Sequence, residues 1–199
     1  MPVSINGQTG VITGLAVGGL PDGIVDTDMI AAGAVTAAKR GAGAILQVVQ
    51  TMKTDVFTTF QNAGVEVEIT GLNATITPTS NTSKILVSFH IQVGQYGTTY
   101  GVYPKRVISG GSTTIIFIGD ASSNRQRVTA PTGIAEDNNQ MDSLSFAGLD
   151  SPATTSAVTY KMFAISDGGD LRINRSRNDT DAAVGKRTVS SITLMEVAA

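Results

Sequence analysis

The stretch Lys84-Ile85-Leu86-Val87-Ser88-Phe89-His90-Ile91-Gln92-Val93 alternates almost without interruption. In an extended strand, Ile85, Val87, Phe89, Ile91 and Val93 share one face, while Ser88, His90 and Gln92 share the other. A helix would scatter the same apolar set around its circumference. The period returns in Val65-Glu66-Val67-Glu68-Ile69, with Val65, Val67 and Ile69 on one face. Further strands are expected at Ile45–Gln50, Val102–Ile108, Thr113–Ile118, Ser143–Ala147, Ser156–Ile165, Leu171–Arg175 and Thr188–Val197. No long amphipathic helix competes with them. About eight or nine strands, with turns roughly every 8–12 residues, predict an all-β fold, an antiparallel β-sandwich. Within that class the strand count favours a jelly roll.

Turn chemistry divides the strands. Thr79-Ser80-Asn81-Thr82 after Pro78 reads as a turn, and Asp167-Gly168-Gly169 as a hairpin turn between two strands. Gly94 to Gly101 reads as a Tyr/Thr/Gly loop. Residues 119–140 (GDASSNRQRVTAPTGIAEDNNQ) show no continuous strand pattern. Loops of that length are uncommon inside compact domains and tend to be functional or mobile.

Residues 1–43 have a different character. A glycine-led unit recurs as Gly10-Val11-Ile12-Thr13, Gly23-Ile24-Val25-Asp26 and Gly33-Ala34-Val35-Thr36. Asp26-Thr27-Asp28 can cap a short helix through Met29-Ile30-Ala31-Ala32, and Thr36-Ala37-Ala38-Lys39 can start another turn. The few apolar groups (Val11, Ile12, Ile24, Val25, Met29, Ile30, Val35) cannot offset roughly 1–2 kcal/mol of backbone ordering per residue. A flexible linker is one reading. The other is an extended stalk or anchor wound from identical chains, with small residues at a shared axis. Recurrence of the unit favours the stalk. The expected organisation is a stalk/anchor over 1–43 and a β-sandwich head over 44–199.

Composition narrows the function. Charged residues make up 15% of the chain and the net charge is −2, against a usual charged share of about 25%. A basic excess able to release counterions from nucleic acid is absent. A polar but uncharged surface suits burial between copies of the chain. With no cysteine, disulfides, thiolate metal sites and cysteine nucleophiles are excluded. The N-terminus MPVSINGQTG has neither a basic n-region nor an apolar h-region, so no signal peptide is expected. The four N-x-S/T sequons at Asn73, Asn81, Asn174 and Asn178 carry no weight without one.

Catalytic signatures are missing. His90 is the single histidine, and no GxSxG elbow accompanies it. Asp167, Asp170, Asp179 and Asp181 cluster in sequence, and two carboxylates suffice for glycoside hydrolysis. Turn chemistry and solvation explain all four more simply. Glu136-Asp137-Asn138-Asn139 is rich in oxygen, but EF-hand spacing is absent. Arg172, Arg175 and Arg177 read as ion-pair partners of nearby aspartates rather than as an anion patch. No catalytic residue, metal ligand or cofactor site is therefore assigned. For surface recognition, Tyr96, Tyr100 and Tyr103 stand out in or beside the glycine-rich loop, because tyrosine offers rigid amphipathic contact at low entropy cost. Arg125 and Arg127 in the 119–140 segment join them as receptor-contact candidates.

The stretches INGQTGVITGL, GLPDGIVDTDMIAAGAVTAAK, GAILQVVQT, ITGLNATITPTSNTSKILV, IGDASSNRQR, LDSPATTSAVTYK and ITLMEVAA together resemble the tail-fibre-like virion proteins of tailed bacteriophages, of the marine and cyanobacterial phage type. The resemblance spans most of the chain. It implies a homotrimer with a particle-bound N-terminal segment and a C-terminal β-rich head, and it carries over no binding residue. The expected function is a non-enzymatic virion structural protein, a tail fibre or tail-tip component. It would be made in the host cytoplasm, dock on tail or baseplate proteins, and present the head to host-surface polysaccharide or protein (loops 94–101 and 119–140). Neither nucleic acid nor membrane insertion is expected. A capsid decoration or head fibre is the alternative, and a small depolymerase using Asp167 or Asp170 a third.

Overall fold

A computed structural model of the chain describes residues 4–6, 11–13, 34–35 and 39–199. It divides into two compact units, Met1–Arg40 and Gly41–Ala199. In the first, strands β1 (Ser4–Asn6) and β2 (Val11–Thr13) pair antiparallel, with Ile5 opposite Ile12. Val11 and Ile12 of the expected stalk thus fall in β2, and Val35 is half exposed. Ile24, Val25, Met29 and Ile30, and the short helix expected around them, lie outside the described residues.

The second unit contains β3 (Ile45–Lys53), β4 (Phe57–Gln61), β5 (Val67–Ile76), β6 (Lys84–Gly94), β7 (Tyr100–Ile108) and β8 (Thr113–Ile115). It continues with β9 (Ala130–Pro131), β10 (Met141–Asp150), β11 (Val158–Ser166), β12 (Gly169–Ile173) and β13 (Ser190–Val197). One sheet runs β3-β13-β6-β12-β4 with β10 on β6; the other runs β5-β11-β7-β8 with β9 on β7. Register shows that several strands lie end to end. β10 occupies one side of β6 along its whole length, so β13 (on Lys84 to His90) and β12 (on Val93 and Gly94) share the other side. β3 and β4 then continue one another against β13 and β12. Counting such pairs as single lanes in chain order, the first sheet reads first-eighth-third-sixth. The second reads second-seventh-fourth-fifth. That is the strand order of a jelly roll, the expected fold.

The core lies between the sheets. Ile85, Val87, Phe89, Ile91 and Val93 of β6 are buried, facing Val158, Tyr160, Met162 and Ala164 of β11 and neighbours from β5 and β13. Each such side chain contributes about 1.5–3 kcal/mol by leaving water. Two polar clusters inside are paired. Tyr160 donates to Asp150 (2.7 Å), which also accepts from Arg106 (2.7 Å). Buried Glu196 accepts from Thr79 N–H (2.7 Å), the Thr79 hydroxyl (2.8 Å) and Gln47 (2.6 Å).

Two expectations need correction. Val65 does not join Val67 and Ile69 on a buried face: β5 starts at Val67, and Val65 is 53% exposed. Strict alternation also fails further along, because a bulge at Gly71 (φ +82°) lets both Ile69 and Leu72 point inward. Asp167-Gly168 is not a hairpin turn. β11 pairs with β5 and β7, whereas β12 pairs with β4 and β6, so the dipeptide is a corner between the sheets.

Candidate functional site

At the β4/β12 end of the first sheet, a cleft of about 190 Å³ opens on the outer surface. Cross-strand pairing builds its base. Asp170 lies opposite Phe60, and Arg172 opposite Thr58. Arg172 donates to the Asp170 carboxylate at 2.5 Å. Burial lowers the pKa of the Arg172 guanidinium, with Asp170 acting against that shift. Phe60 is 68% exposed, on a strand at the sheet edge.

The opposite wall is the loop between β6 and β7. Thr98 donates to Gly168 O (2.8 Å), Thr99 N–H to Asp167 Oδ1 (3.3 Å), and Gly97 N–H to Ala135 O (3.1 Å). Gln95, fully buried, donates to Gly133 O and to Asp142 (2.7 Å). The loop is therefore held in place before any ligand arrives, which reduces the ordering cost of binding. Tyr96 stands out from it, 44% exposed.

The third wall comes from the segment between β12 and β13, residues 174–189. Asn174 begins it in a left-handed conformation (φ 64°), and Arg175 and Arg187 bridge its neck. Arg175 O lies so close to Gly94 that a Cβ there would meet it at 1.9 Å. Glycine is required for this close approach, which carries Arg177 across to the cleft. The Arg177 guanidinium sits 4.5 Å from the Tyr96 ring centroid, a cation–π contact.

The expected contact residues separate. Of the three tyrosines, only Tyr96 is exposed. Tyr100 and Tyr103 are 2% and 4% exposed, because both belong to β7 rather than to the loop. Burial pushes the Tyr100 phenol up to about 12. Tyr103 packs on Phe163 and donates to Glu66, and burial with that bond raises its pKa as well. Tyr100 nonetheless lines the cleft beside Tyr96, joined there by Phe60 and Arg177, whereas Tyr103 does not reach it. Arg125 and Arg127 are exposed on the 119–140 segment, Arg127 donating to Gly119 O at 2.7 Å, and neither lines the cleft.

The arginine cluster forms the expected pairs only in part. Arg172 takes Asp170, while Arg175 (3.0 Å) and Arg187 (2.6 Å) share Asp179. Arg177 pairs with no carboxylate among the described residues. Asp167 and Asp170 serve the loop bond and the ion pair already given. His90 is exposed beside Gln92 (2.7 Å). No group of three His, Cys, Asp or Glu is placed to hold a metal among the described residues. Sequence reasoning missed Phe60 because Phe57-Thr58-Thr59-Phe60 is too short to show a period. Arg177 was visible only as one charge among several.

A second surface feature lies on the same sheet. Register aligns Val48, Met195, Leu86 and Leu149 across β3, β13, β6 and β10. Val48 and Leu149 are 56% and 52% exposed. The adjoining rows are Gln50-Thr193-Ser88-Ala147 and Met52-Ser191-His90-Ser145. No carboxylate stands in these three rows.

No family model matches the chain, and no curated protein matches it. Among solved structures it is similar to infectious bursal disease virus, Gt strain, at 14% identity over 79% of this chain and 40% of that one, with a TM-score of 0.41. The VP2 subviral particle of infectious bursal disease virus gives 13% identity over 76% and 39%, with a TM-score of 0.39. The chain spans less than half of each of those structures. The jelly-roll assignment rests on strand order, not on these likenesses.

Proposed function

We propose that the chain is a non-enzymatic virion structural protein: a homotrimeric tail-fibre or tail-tip component. Residues 1–43 dock on the particle, and the jelly roll meets the host surface. The observation that carries the contact role is the cleft, where two large aromatic side chains stay exposed beside a loop held by hydrogen bonds. Leaving Phe60 in water forgoes about 1.5–3 kcal/mol of burial, a cost that contact with a partner recovers. Three copies on one particle-bound stalk would turn weak single contacts into strong adhesion.

The uncharged rows on the first sheet support self-association. Depletion of charge and the presence of Met are features of interface cores. Four lanes at about 4.8 Å by about five residues at 3.3 Å offer roughly 320 Å² per copy, a part of what a specific contact needs. The family resemblance supports the virion location.

The test is immunogold labelling of intact particles with antibody to residues 44–199, paired with competition of phage adsorption by the purified full chain. Gold on the tail or tip with blocked adsorption is the expected result. Gold over the capsid shell would make this a decoration protein. Unlabelled particles would end the virion reading.

A further inference from the structure

We propose that the cleft binds a carboxylate-bearing saccharide, its ring stacked on Phe60 or Tyr96 and its carboxylate held by Arg177. The inference rests on reading this cleft as the host-contact site, and it names the class of ligand.

Three properties select that class. The first is apolar area: Phe60 and Tyr96, 68% and 44% exposed, flank a cleft of about 190 Å³. The C–H face of a pyranose is flat and weakly apolar, so it stacks on such rings while its hydroxyls stay wet. The second is charge. Arg172 and Asp170 neutralise one another at 2.5 Å. Arg177 has no carboxylate partner among the described residues, so the cleft carries one net positive charge. The Arg177 guanidinium sits 4.5 Å from the Tyr96 ring centroid and donates no side-chain hydrogen bond among the described residues, so its fork of N–H groups can match the two oxygens of a carboxylate. The third is Asp170. Its Oδ2 is held by Arg172, while Oδ1 accepts no hydrogen bond among the described residues. Sugar hydroxyls can donate to that oxygen. A phosphate dianion would bring two negative charges to a cleft with one net positive charge, so the same groups fit a carboxylate monoanion better.

Another open cleft, of about 310 Å³, is lined by Asp179, Asp181 and Arg187 and has no aromatic wall. It lacks a stacking surface.

The experiment uses the full chain and a panel of oligosaccharides containing uronic or sialic acid. Each is paired with its counterpart in which the carboxyl groups are reduced to alcohols. Dissociation constants are measured by titration calorimetry. At least one acidic member should bind about tenfold more tightly than its reduced partner, a difference of about 1.4 kcal/mol. Arg177→Gln should erase that difference. Arg177→Lys should restore part of it, because charge returns without the planar fork. Phe60→Ala should weaken both forms several-fold. Equal binding of acidic and reduced forms would overturn the proposal. So would no binding of any acidic member, an unchanged preference in Arg177→Gln, or inorganic phosphate displacing the acidic sugar at lower concentration. Failure here, with particles still labelled and adsorption still blocked by the protein, would remove the ligand class alone. Unlabelled particles would remove the functional reading while leaving a saccharide result standing.

Discussion

Two single residues control much of this molecule. Gly94 is pinned by a neighbour, since any side chain there meets Arg175 O. Gly94→Ala must push residues 174–177 off the sheet. Overpacking of this kind costs about 1–3 kcal/mol, and the displaced segment takes Arg177 from Tyr96. Urea unfolding should therefore show a lower midpoint at unchanged slope; a midpoint equal to wild type would refute the close approach. Glu196 works through charge. Burial raises its pKa, but donors from Gln47, Ser83 and Thr79 outweigh burial and hold it below the ordinary 4.5. The unfolded chain thus takes up this proton more readily than the native one. Stability from Glu196 is complete above about pH 4.5 and drains as pH falls through the lower native value. Glu196→Gln should be less stable near neutral pH and lose less on acidification. Urea midpoints at about pH 7 and about pH 2.5 measure this. Equal losses in the two proteins would contradict it.

Among the elements, the end-to-end strands are the most informative. β12 and β13 share a lane but are separated by residues 174–189, and β3 and β4 break opposite them. Asn174 closes the gap. Its side chain donates to Lys53 O (2.8 Å) and Asp55 O (3.0 Å) and accepts from Ser190 (2.6 Å). Asn174→Ala leaves buried polar groups without partners and keeps a strained φ, so a loss of about 3 kcal/mol is expected in chemical denaturation. A loss of only a few tenths would mean the break is held by other bonds. This junction also marks the limit of what the sequence expresses. Strands with one wet and one buried face, such as β6 and β11, are legible because alternation records their burial directly. β4 was not, since five residues on an edge strand with Phe60 facing water carry no consistent period. The corner at Asp167-Gly168 looked like a hairpin because turn residues fix local φ, not the sheet that the next strand joins. The cleft was legible at Tyr96 and Tyr100. Phe60, Arg177 and Asp170 come from three separate stretches, and only strand register and the 174–189 excursion bring them together.

At the scale of the whole molecule, the first sheet presents two unlike regions on its outer face. The β4/β12 end carries the aromatic and arginine side chains of the cleft. The β3-β13-β6-β10 part carries the Val48-Met195-Leu86-Leu149 row, bordered by serine, threonine and alanine. Separation of these regions lets copies pack through one while the other stays open to a ligand. If the apolar row is the contact between copies, a charge placed in it must be desolvated on assembly without a partner. Leu86 and Met195 face outward and are half-buried in the single chain, so lysine at either position can extend to water in the monomer. Leu86→Lys and Met195→Lys are therefore expected to convert the proposed trimer to monomer in sedimentation velocity, with the far-ultraviolet spectrum of a β-sandwich retained. Cleft substitutions such as Phe60→Ala should leave the trimer intact. A trimer that survives both lysines would move the contact elsewhere, and residues 1–43 would become the segment to shorten next. A monomer that keeps its single-site saccharide affinity but no longer blocks adsorption would show that adhesion depends on three linked clefts rather than on one strong one.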